Sequence, residues 1–131
     1  MWYEYAVGKE KINFMFGGDF LLDDLELIAF SFEISRLHLV FSSRKIPKKY
    51  PRKWDSDNFN SLIINITLSD IIYFESKGFN VMFTSTPTIE IKKEYSTIDI
   101  NNPKLHLYCK SNYLTINEIK PYIDERWDWI H

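Results

Sequence analysis

The chain has 131 residues, of which 45% are hydrophobic and 17% aromatic, with one cysteine and a net charge of −2. This length predicts one domain, residues 1–131, that can bury a core without disulfides or metals. The single cysteine excludes an internal disulfide framework and a cysteine-rich zinc site. The first residues lack a signal-peptide pattern and no apolar run is long enough to span a membrane, so we expect a cytoplasmic protein without a membrane partner.

The first half of the chain alternates between apolar and polar residues, as half-buried strands do. A short helix is predicted before this region, at about residues 9–16. In the run LELIAFSFEI, one side is apolar and carries Ile28, Phe30, Phe32 and Ile34. The run RLHLVFS continues the alternation, so residues 35–36 are expected to form the tight turn of a hairpin.

A proline-containing segment, residues 45–59, separates this hairpin from the strands that follow. Its prolines lack amide hydrogens, so the segment is predicted to cross over between two strands instead of forming a central strand. The run NSLIINITLS alternates again, Asp70 marks a bend, and IIYFE is expected to form another strand. Gly78 can supply a positive φ at the turn that follows.

The second half shows the same pattern in shorter runs, FNVMFTS, TIEIKK and KLHLYCK, before the sequence TINEIKPYIDERWDWI. There, Thr115 and Glu118 have the spacing of a capping box, and Pro121 allows only a short helix or one that restarts at Pro121. Short links between successive strands imply antiparallel pairing. The sequence therefore predicts a mainly β fold, α+β at most, with about seven or eight antiparallel strands in a curved sheet or sandwich and short helices near the termini.

No motif of a common catalytic site occurs in the sequence, such as a Walker loop, a dinucleotide-binding glycine fingerprint, HExxH or a nucleophile elbow. His38 and His106 lie at the polar phase of strands, where histidines commonly face solvent, so no metal or cofactor is expected. Glu90-Ile91-Lys92 matches half of a nuclease metal site, with Asp70 as the upstream acid, but solvated strand faces produce this pattern by chance. We therefore expect a protein that is not an enzyme.

Six basic residues lie between positions 44 and 53, interleaved with aromatic residues and prolines. Cations that neutralise phosphates, next to rings that stack on bases, are what a nucleic-acid site requires. The chain as a whole is slightly acidic and lacks a known nucleic-acid-binding pattern. We favour a structural crossover whose aromatic rings anchor it to the core. The alternative is a small nucleic-acid-binding protein that uses Lys48, Lys49, Arg52, Lys53 and Trp54.

Two acidic clusters are the other prominent charged features of the sequence. The first lies at residues 19–26, where no base occurs, and the second in the C-terminal tail around the single base Arg126. Uncompensated acids of this kind suit the docking of a basic protein, because complementary charge speeds encounter and suppresses wrong partners. They also suit a merely solvated acidic loop.

Several short motifs follow one another along the chain. They are Phe16-Gly17, Asp23-Asp24-Leu25-Glu26, Pro51-x-Lys53-Trp54 with Phe59-Asn60, LIINITL, and LHLYCKSNYLTINEIKPYI. In this order they resemble the immunity protein 50 family of bacterial polymorphic toxin systems, and more generally the immunity proteins of contact-dependent growth inhibition. Members often carry Pro before the acidic loop and His-Asp within it, whereas this chain reads GGDFLLDDLE.

The resemblance implies a small, mainly β protein that binds a cognate bacterial toxin domain and blocks it. Many immunity proteins cover the active site of a toxin, and nuclease toxins tend to be basic there, so an acidic surface would fit by mimicking phosphate. From the charge clusters we predict toxin-binding residues in two groups. The first group is Asp19, Asp23, Asp24 and Glu26, and the second is Asp124, Glu125 and Asp128.

Overall fold

The computed structural model describes residues 6–10, 24–46, 49–56, 58–78 and 81–128, and their side chains except at residues 84, 127 and 128. Within these residues, seven strands form a single sheet in which hydrogen-bonded neighbours are antiparallel. The predicted mainly β, antiparallel fold is therefore confirmed. The strands are β1 (Leu25–Glu33), β2 (Arg36–Ser43), β3 (Ser61–Gly78), β4 (Phe83–Ser85), β5 (Thr88–Ile91), β6 (Ser96–Asn102) and β7 (Leu105–Tyr122). A 3-10 helix spans Arg52–Ser56, and the short helix α1 spans Glu125–Asp128.

The long strands β3 and β7 form the centre of the sheet. Each has 18 residues, and they pair from Ser61 opposite Tyr122 to Gly78 opposite Leu105. The β1–β2 hairpin extends the sheet beside the first half of β3, and β6 and β5 extend it beside the first half of β7. The resulting strand order is β4-β1-β2-β3-β7-β6-β5.

The sheet is strongly coiled. Its two edge strands, β4 and β5, are separated in the chain only by Thr86 and Pro87. A link of this length spans at most about 11 Å between the flanking Cα atoms. The sheet must therefore curl until its edges approach each other, which decides between the two predicted arrangements in favour of a curved sheet.

The concave face of this coiled sheet holds the hydrophobic core. Leucine and isoleucine side chains from β1, β2, β3, β6 and β7 alternate into it, and most of them have no solvent-exposed area. Burial of each such side chain contributes about 1.5–3 kcal/mol. The core residues on the strands are Leu25, Leu27, Leu37, Leu39, Phe41, Leu62, Ile64, Ile66, Leu68, Ile98, Ile100, Leu105, Leu107, Cys109, Leu114, Ile116 and Ile119.

The predicted hairpin of β1 and β2 is present, but its turn lies one residue earlier than expected, at Ile34 and Ser35. A β-bulge between Leu27 and Ala29 shifts the buried phase of β1, so Ile28 does not share a regular face with Phe30. The apolar side that the alternation predicted is interrupted at both of its ends.

The expected break at Asp70 is a bulge inside one strand. β3 runs without interruption through this residue, which has a left-handed φ of 56°, and its pairing shifts register between Ile71 and Tyr73. Aspartate tolerates this conformation better than most residues. The strand therefore bends at Asp70 without ending, as a long strand in a coiled sheet requires.

The helix predicted from Thr115 and Glu118 is wrong, because β7 continues through both residues. The β3 partners Asn65 and Ile66 lie opposite Glu118 and Ile116, so Asn117 is the extra residue of a bulge. This insertion changes the spacing of the buried residues from two, between Leu114 and Ile116, to three, between Ile116 and Ile119. A spacing of three is typical of a helix. Of the helix predicted at residues 9–16, Lys9 and Glu10 are helical and residues 11–16 lie outside the described residues. Near the other terminus, the described helix is α1.

Candidate protein-binding surface

Residues 49–56 and 58–59 of the crossover close one end of the coiled sheet with aromatic rings. Trp54 is only 4% exposed and lies in the 3-10 helix. Its backbone N–H donates to Pro51 O. Its ring stacks on Tyr50 at 6.1 Å between centroids and meets Phe59 edge-on at 5.9 Å. The anchoring role that the sequence predicted for Trp54 is therefore confirmed by its burial.

The same burial bears on the nucleic-acid alternative. Lys49, Arg52 and Lys53 are exposed, and Lys48 lies outside the described residues. The Trp54 ring is buried against the core, so it is not presented for stacking on a base. Tyr50 donates its hydroxyl hydrogen to Asp55 Oδ1 at 2.6 Å, and this hydrogen bond raises the pKa of Tyr50.

The first acidic group begins where β1 starts. Asp24 is exposed, and its backbone N–H donates to Thr86 Oγ1 at 3.1 Å, which ties the β1 entry to the β4–β5 link. Its carboxylate lies 3.1 Å from Lys45 Nζ. Asp19 and Asp23 lie outside the described residues, so the structure gives no position for half of this group.

Arg126 joins the two acidic groups. Its guanidinium donates to Glu26 on β1 with an Nη1–Oε2 distance of 3.1 Å, and to Asp124 with an Nε–Oδ1 distance of 2.9 Å. The side chains of Glu26 and Asp124 are 13% and 5% exposed. The hydrogen bonds to Asp124 and Glu26 raise the pKa of the Arg126 guanidinium, so it stays charged. A bidentate geometry of this kind is the strongest form of the arginine–carboxylate pair.

A second set of contacts fixes the same chain end. Asn60 Nδ2 donates to Asp124 O at 2.9 Å, and the Asp124 N–H donates to Asn60 Oδ1 at 2.8 Å. The C-terminal tail is thereby fastened beside the start of β3, within reach of β1. Sequence reasoning treated the two acidic groups as separate sites, although the lone base Arg126 among the tail acids was the available signal that something links them.

We name the surface formed by Asp24, Glu26, Asp124 and Glu125 the acidic surface. Part of its charge is compensated, since Asp24 contacts Lys45 and the Glu26–Asp124 pair shares Arg126. Glu125 is exposed at the start of α1, and the side chain of Asp128 is outside the description. The structure thus brings together four of the seven predicted residues and gives two of them, Glu26 and Asp124, a structural contact.

The opposite end of β1 carries a feature that the sequence did not reveal. Ile34 and Ser35 have φ values of 47° and 59°, which identifies a type I′ turn, and Ile34 is 90% exposed. Left-handed backbone costs an L-residue about 1–2 kcal/mol, and a β-branched side chain makes it rarer still. The alternation pattern had assigned Ile34 to the apolar side of a strand, which concealed the turn.

The two strand histidines each have a polar side chain as a neighbour on the convex face. Asn117 Oδ1 accepts the hydroxyl hydrogen of Thr67 at 2.6 Å, so Thr67 Oγ1 accepts from His38 Nδ1–H at 3.0 Å. His106 Nε2 lies 3.2 Å from Asp99 Oδ1. Within the described residues, no three histidine, cysteine, aspartate or glutamate side chains lie close enough together to hold a metal ion.

The nuclease pattern does not assemble around Asp70. Glu90 lies on β5 and Asp70 on β3, with β6 and β7 between them, so they are about 14 Å apart along the sheet. Lys92 contacts Glu90 and the Tyr95 hydroxyl, and Asp70 accepts from Asn112 Nδ2 at 2.6 Å. These side chains therefore form separate surface contacts.

The cysteine bears on the reactivity of the protein, and the lengths of its helices bear on membrane contact. Burial raises the pKa of the Cys109 thiol to about 12, so this cysteine is protonated and unreactive at neutral pH. No helix in the described part of the chain is long and apolar enough to cross a membrane.

Comparison with known proteins identifies the family. A protein-family model described as Immunity protein 50 matches residues 8–122, which span β1 to β7 and confirm the resemblance seen in the sequence. Searches of curated proteins and of solved structures gave no match. Because the matched region covers most of the 131 residues, the chain belongs to the Immunity protein 50 family.

Proposed function

We propose that this chain neutralises a cognate bacterial toxin domain by binding it directly, in the cytoplasm of the cell that makes both proteins. The observation that carries the proposal is the family match over residues 8–122. A polymorphic toxin or contact-dependent growth inhibition system is the setting in which such a protein acts. The proposed mechanism is occlusion, in which the bound protein covers the toxin and performs no reaction itself.

We assign the acidic surface, together with Asp19, Asp23 and Asp128, as a toxin contact. Support comes from the arrangement of Asp24 and Glu125, which lie at exposed positions beside the Arg126 contacts. Glu26 and Asp124 would serve by holding β1 and the tail together, since Arg126 occupies both carboxylates. A basic toxin active site would be attracted to the exposed acids and would compete with Lys45 for Asp24.

Co-expression with the toxin domain encoded by the adjacent gene tests direct binding. The two proteins should copurify in a one-to-one complex, and the immunity protein should restore growth of cells that express the toxin. A chain that neither copurifies with the toxin nor protects these cells would contradict the proposed function.

The variant D23N/D24N tests the acidic surface, and asparagine is chosen because it tolerates the φ of 52° at position 24. We expect affinity for the toxin to fall about tenfold at 50 mM salt and by less at 500 mM, because salt screens exposed charges. Glu94→Gln, which removes an exposed acid between β5 and β6, is the matched control and should leave affinity unchanged. Equal affinities for D23N/D24N and the wild type would show that the acidic surface does not contact the toxin.

A further inference from the structure

We propose that a polar groove on the convex face of the sheet receives a basic side chain of the toxin domain, with His38 and Glu118 as its hydrogen-bond acceptors. We name this the convex groove. The proposal rests on the proposed function, because the toxin supplies the basic side chain, and it adds a contact outside the acidic surface.

The convex groove has a volume of about 390 Å³ and lies across three neighbouring strands, β2, β3 and β7. The β7 bulge at Asn117 belongs to its lining, and bulges are common beside binding sites, where they redirect a side chain. A cavity in which a few polar groups converge is the usual form of a specific binding site. The polar side chains of the lining are those of His38, Asn65, Thr67, Asn117, Glu118 and Lys120.

A chain of hydrogen bonds fixes which ring nitrogen of His38 carries the hydrogen. Thr67 is 7% exposed and uses its one hydroxyl hydrogen to donate to Asn117 Oδ1 at 2.6 Å. Thr67 Oγ1 must therefore accept from His38 Nδ1 at 3.0 Å, which places the hydrogen of the neutral imidazole on Nδ1. The other nitrogen, Nε2, keeps its lone pair and has no hydrogen-bond partner among the described residues. His38 thus offers an acceptor at the groove.

Glu118 and Asn65 supply the other acceptors, since they lie opposite each other on β7 and β3. Glu118 is exposed, and its carboxylate forms no ion pair within the described part of the chain. Lys120 lies opposite Ile63, about 13 Å along the strands from the row of His38 and Thr67, so its charge is at the far end of the groove. A carboxylate beside neutral acceptors matches a cationic donor. A guanidinium, whose five N–H groups share one plane, can donate to several of them at once.

The position of the groove beside the acidic surface identifies the toxin as its occupant. Strand pairing places Glu26 in one row with three residues of β2, β3 and β7, namely Ser42, Ile63 and Lys120. Asn65 is on the next row of this face, so it lies about 12 Å from Glu26 along the sheet. A standard interface covers about 800 Å² on each partner, a patch about 30 Å wide. A toxin docked on the acidic surface therefore also covers the convex groove.

The variants His38→Asn and Glu118→Gln test the two acceptors through affinity for the toxin domain encoded by the adjacent gene. Asparagine carries an amide N–H where Nδ1 lies, so His38→Asn keeps the hydrogen bond to Thr67 and removes Nε2. We expect affinity to fall about tenfold in each variant. The loss for Glu118→Gln should be smaller at 500 mM than at 50 mM salt. His38→Gln places an amide oxygen near the position of Nε2, so it should recover part of the affinity.

Further variants separate acceptor chemistry from general effects. Lys120→Gln should bind the toxin at least as tightly as the wild type, because it removes a charge that repels the incoming cation. Glu94→Gln, which removes an exposed acid outside the groove, should leave affinity unchanged. The melting temperatures of His38→Asn and Glu118→Gln should stay close to that of the wild type, which shows that the fold is intact.

The hydrogen on His38 can be located in the free protein. NMR spectra that correlate the ring hydrogens with the two ring nitrogens should show the Nδ1–H form at about pH 8, where histidines are ordinarily neutral. Thr67→Val removes the hydroxyl that accepts this hydrogen, so the Nε2–H form should appear. A wild-type protein with the hydrogen of His38 on Nε2 would overturn the assigned acceptor.

Each affinity result bears on a different statement. Unchanged binding by both His38→Asn and Glu118→Gln would overturn the groove assignment while the proposed function stands. A loss confined to Lys120→Gln would overturn it in favour of an acidic side chain as the occupant. A wild-type chain that neither binds the toxin nor protects cells would overturn the proposed function and the groove assignment together.

Discussion

At the scale of single residues, the same chemical type has different roles according to its place in the fold. Trp54 and Ile34 are both large apolar residues in connections between strands, yet Trp54 is 4% exposed and Ile34 is 90% exposed. Trp54 packs against Tyr50 and Phe59 beneath the crossover, while Ile34 projects from a two-residue turn. The first therefore contributes to stability, and the second is available to a partner.

Replacement of Trp54 by alanine should lower the free energy of unfolding by about 3 kcal/mol or more, because a buried ring is lost and a cavity remains. The bases beside it are exposed, so Lys49→Gln and Lys53→Gln should each change that free energy by less than about 0.5 kcal/mol. Urea unfolding, monitored by the circular dichroism of the backbone and not by tryptophan fluorescence, measures both effects. Similar losses for Trp54→Ala and Lys49→Gln would show that the crossover is not anchored by its ring.

At the scale of elements, three bulges explain where the alternation pattern misled the prediction. They lie in β1 between Leu27 and Ala29, in β3 after Asp70 and in β7 at Asn117. Each inserts a residue that changes which side of the strand faces the core. The long strands carry these insertions because a coiled sheet needs local bends. Strict alternation of apolar and polar residues therefore predicts a strand end or a helix where the strand in fact continues through a bulge.

The contacts of Arg126 with Glu26 join the C-terminal helix α1 to strand β1. Arg126→Gln should lower the free energy of unfolding by about 1–3 kcal/mol, since it removes the cation from the largely buried Asp124 and Glu26 carboxylates. Arg36→Gln, at an exposed position on β2, is the matched control and should have little effect. Thermal unfolding measures the difference, and hydrogen exchange at residues 58–61 should increase only in Arg126→Gln. Equal stability of the two variants would mean that these ion pairs are not structural.

At the scale of the whole molecule, the coiled sheet presents two ends of different character. One end is closed by the aromatic crossover and bordered by the acidic surface, and the other carries the left-handed turn of the β1–β2 hairpin with the exposed Ile34. The central strands β3 and β7 connect the two ends.

Local stability should follow the strand order. The amides of β3 and β7 have partners on both sides over much of their length, so they should exchange hydrogen only when the whole molecule unfolds. The short edge strands β4 and β5 should exchange by local opening, faster by about tenfold or more. Hydrogen exchange measured by mass spectrometry tests this gradient. Protection of β4 equal to that of β3 would show that the coiled sheet is fully closed between its edges.

The sequence by itself determined the class of the fold, the family and the positions of most strands, because alternation and proline placement act locally along the chain. Gly78 illustrates this, since its predicted positive φ is observed at 85°. Only the tertiary structure decided that residues 26 and 124 share Arg126, and that Ile34 is exposed at a strained turn. Those features depend on strand register and on the coiling of the sheet, which bring together residues that are far apart in the chain.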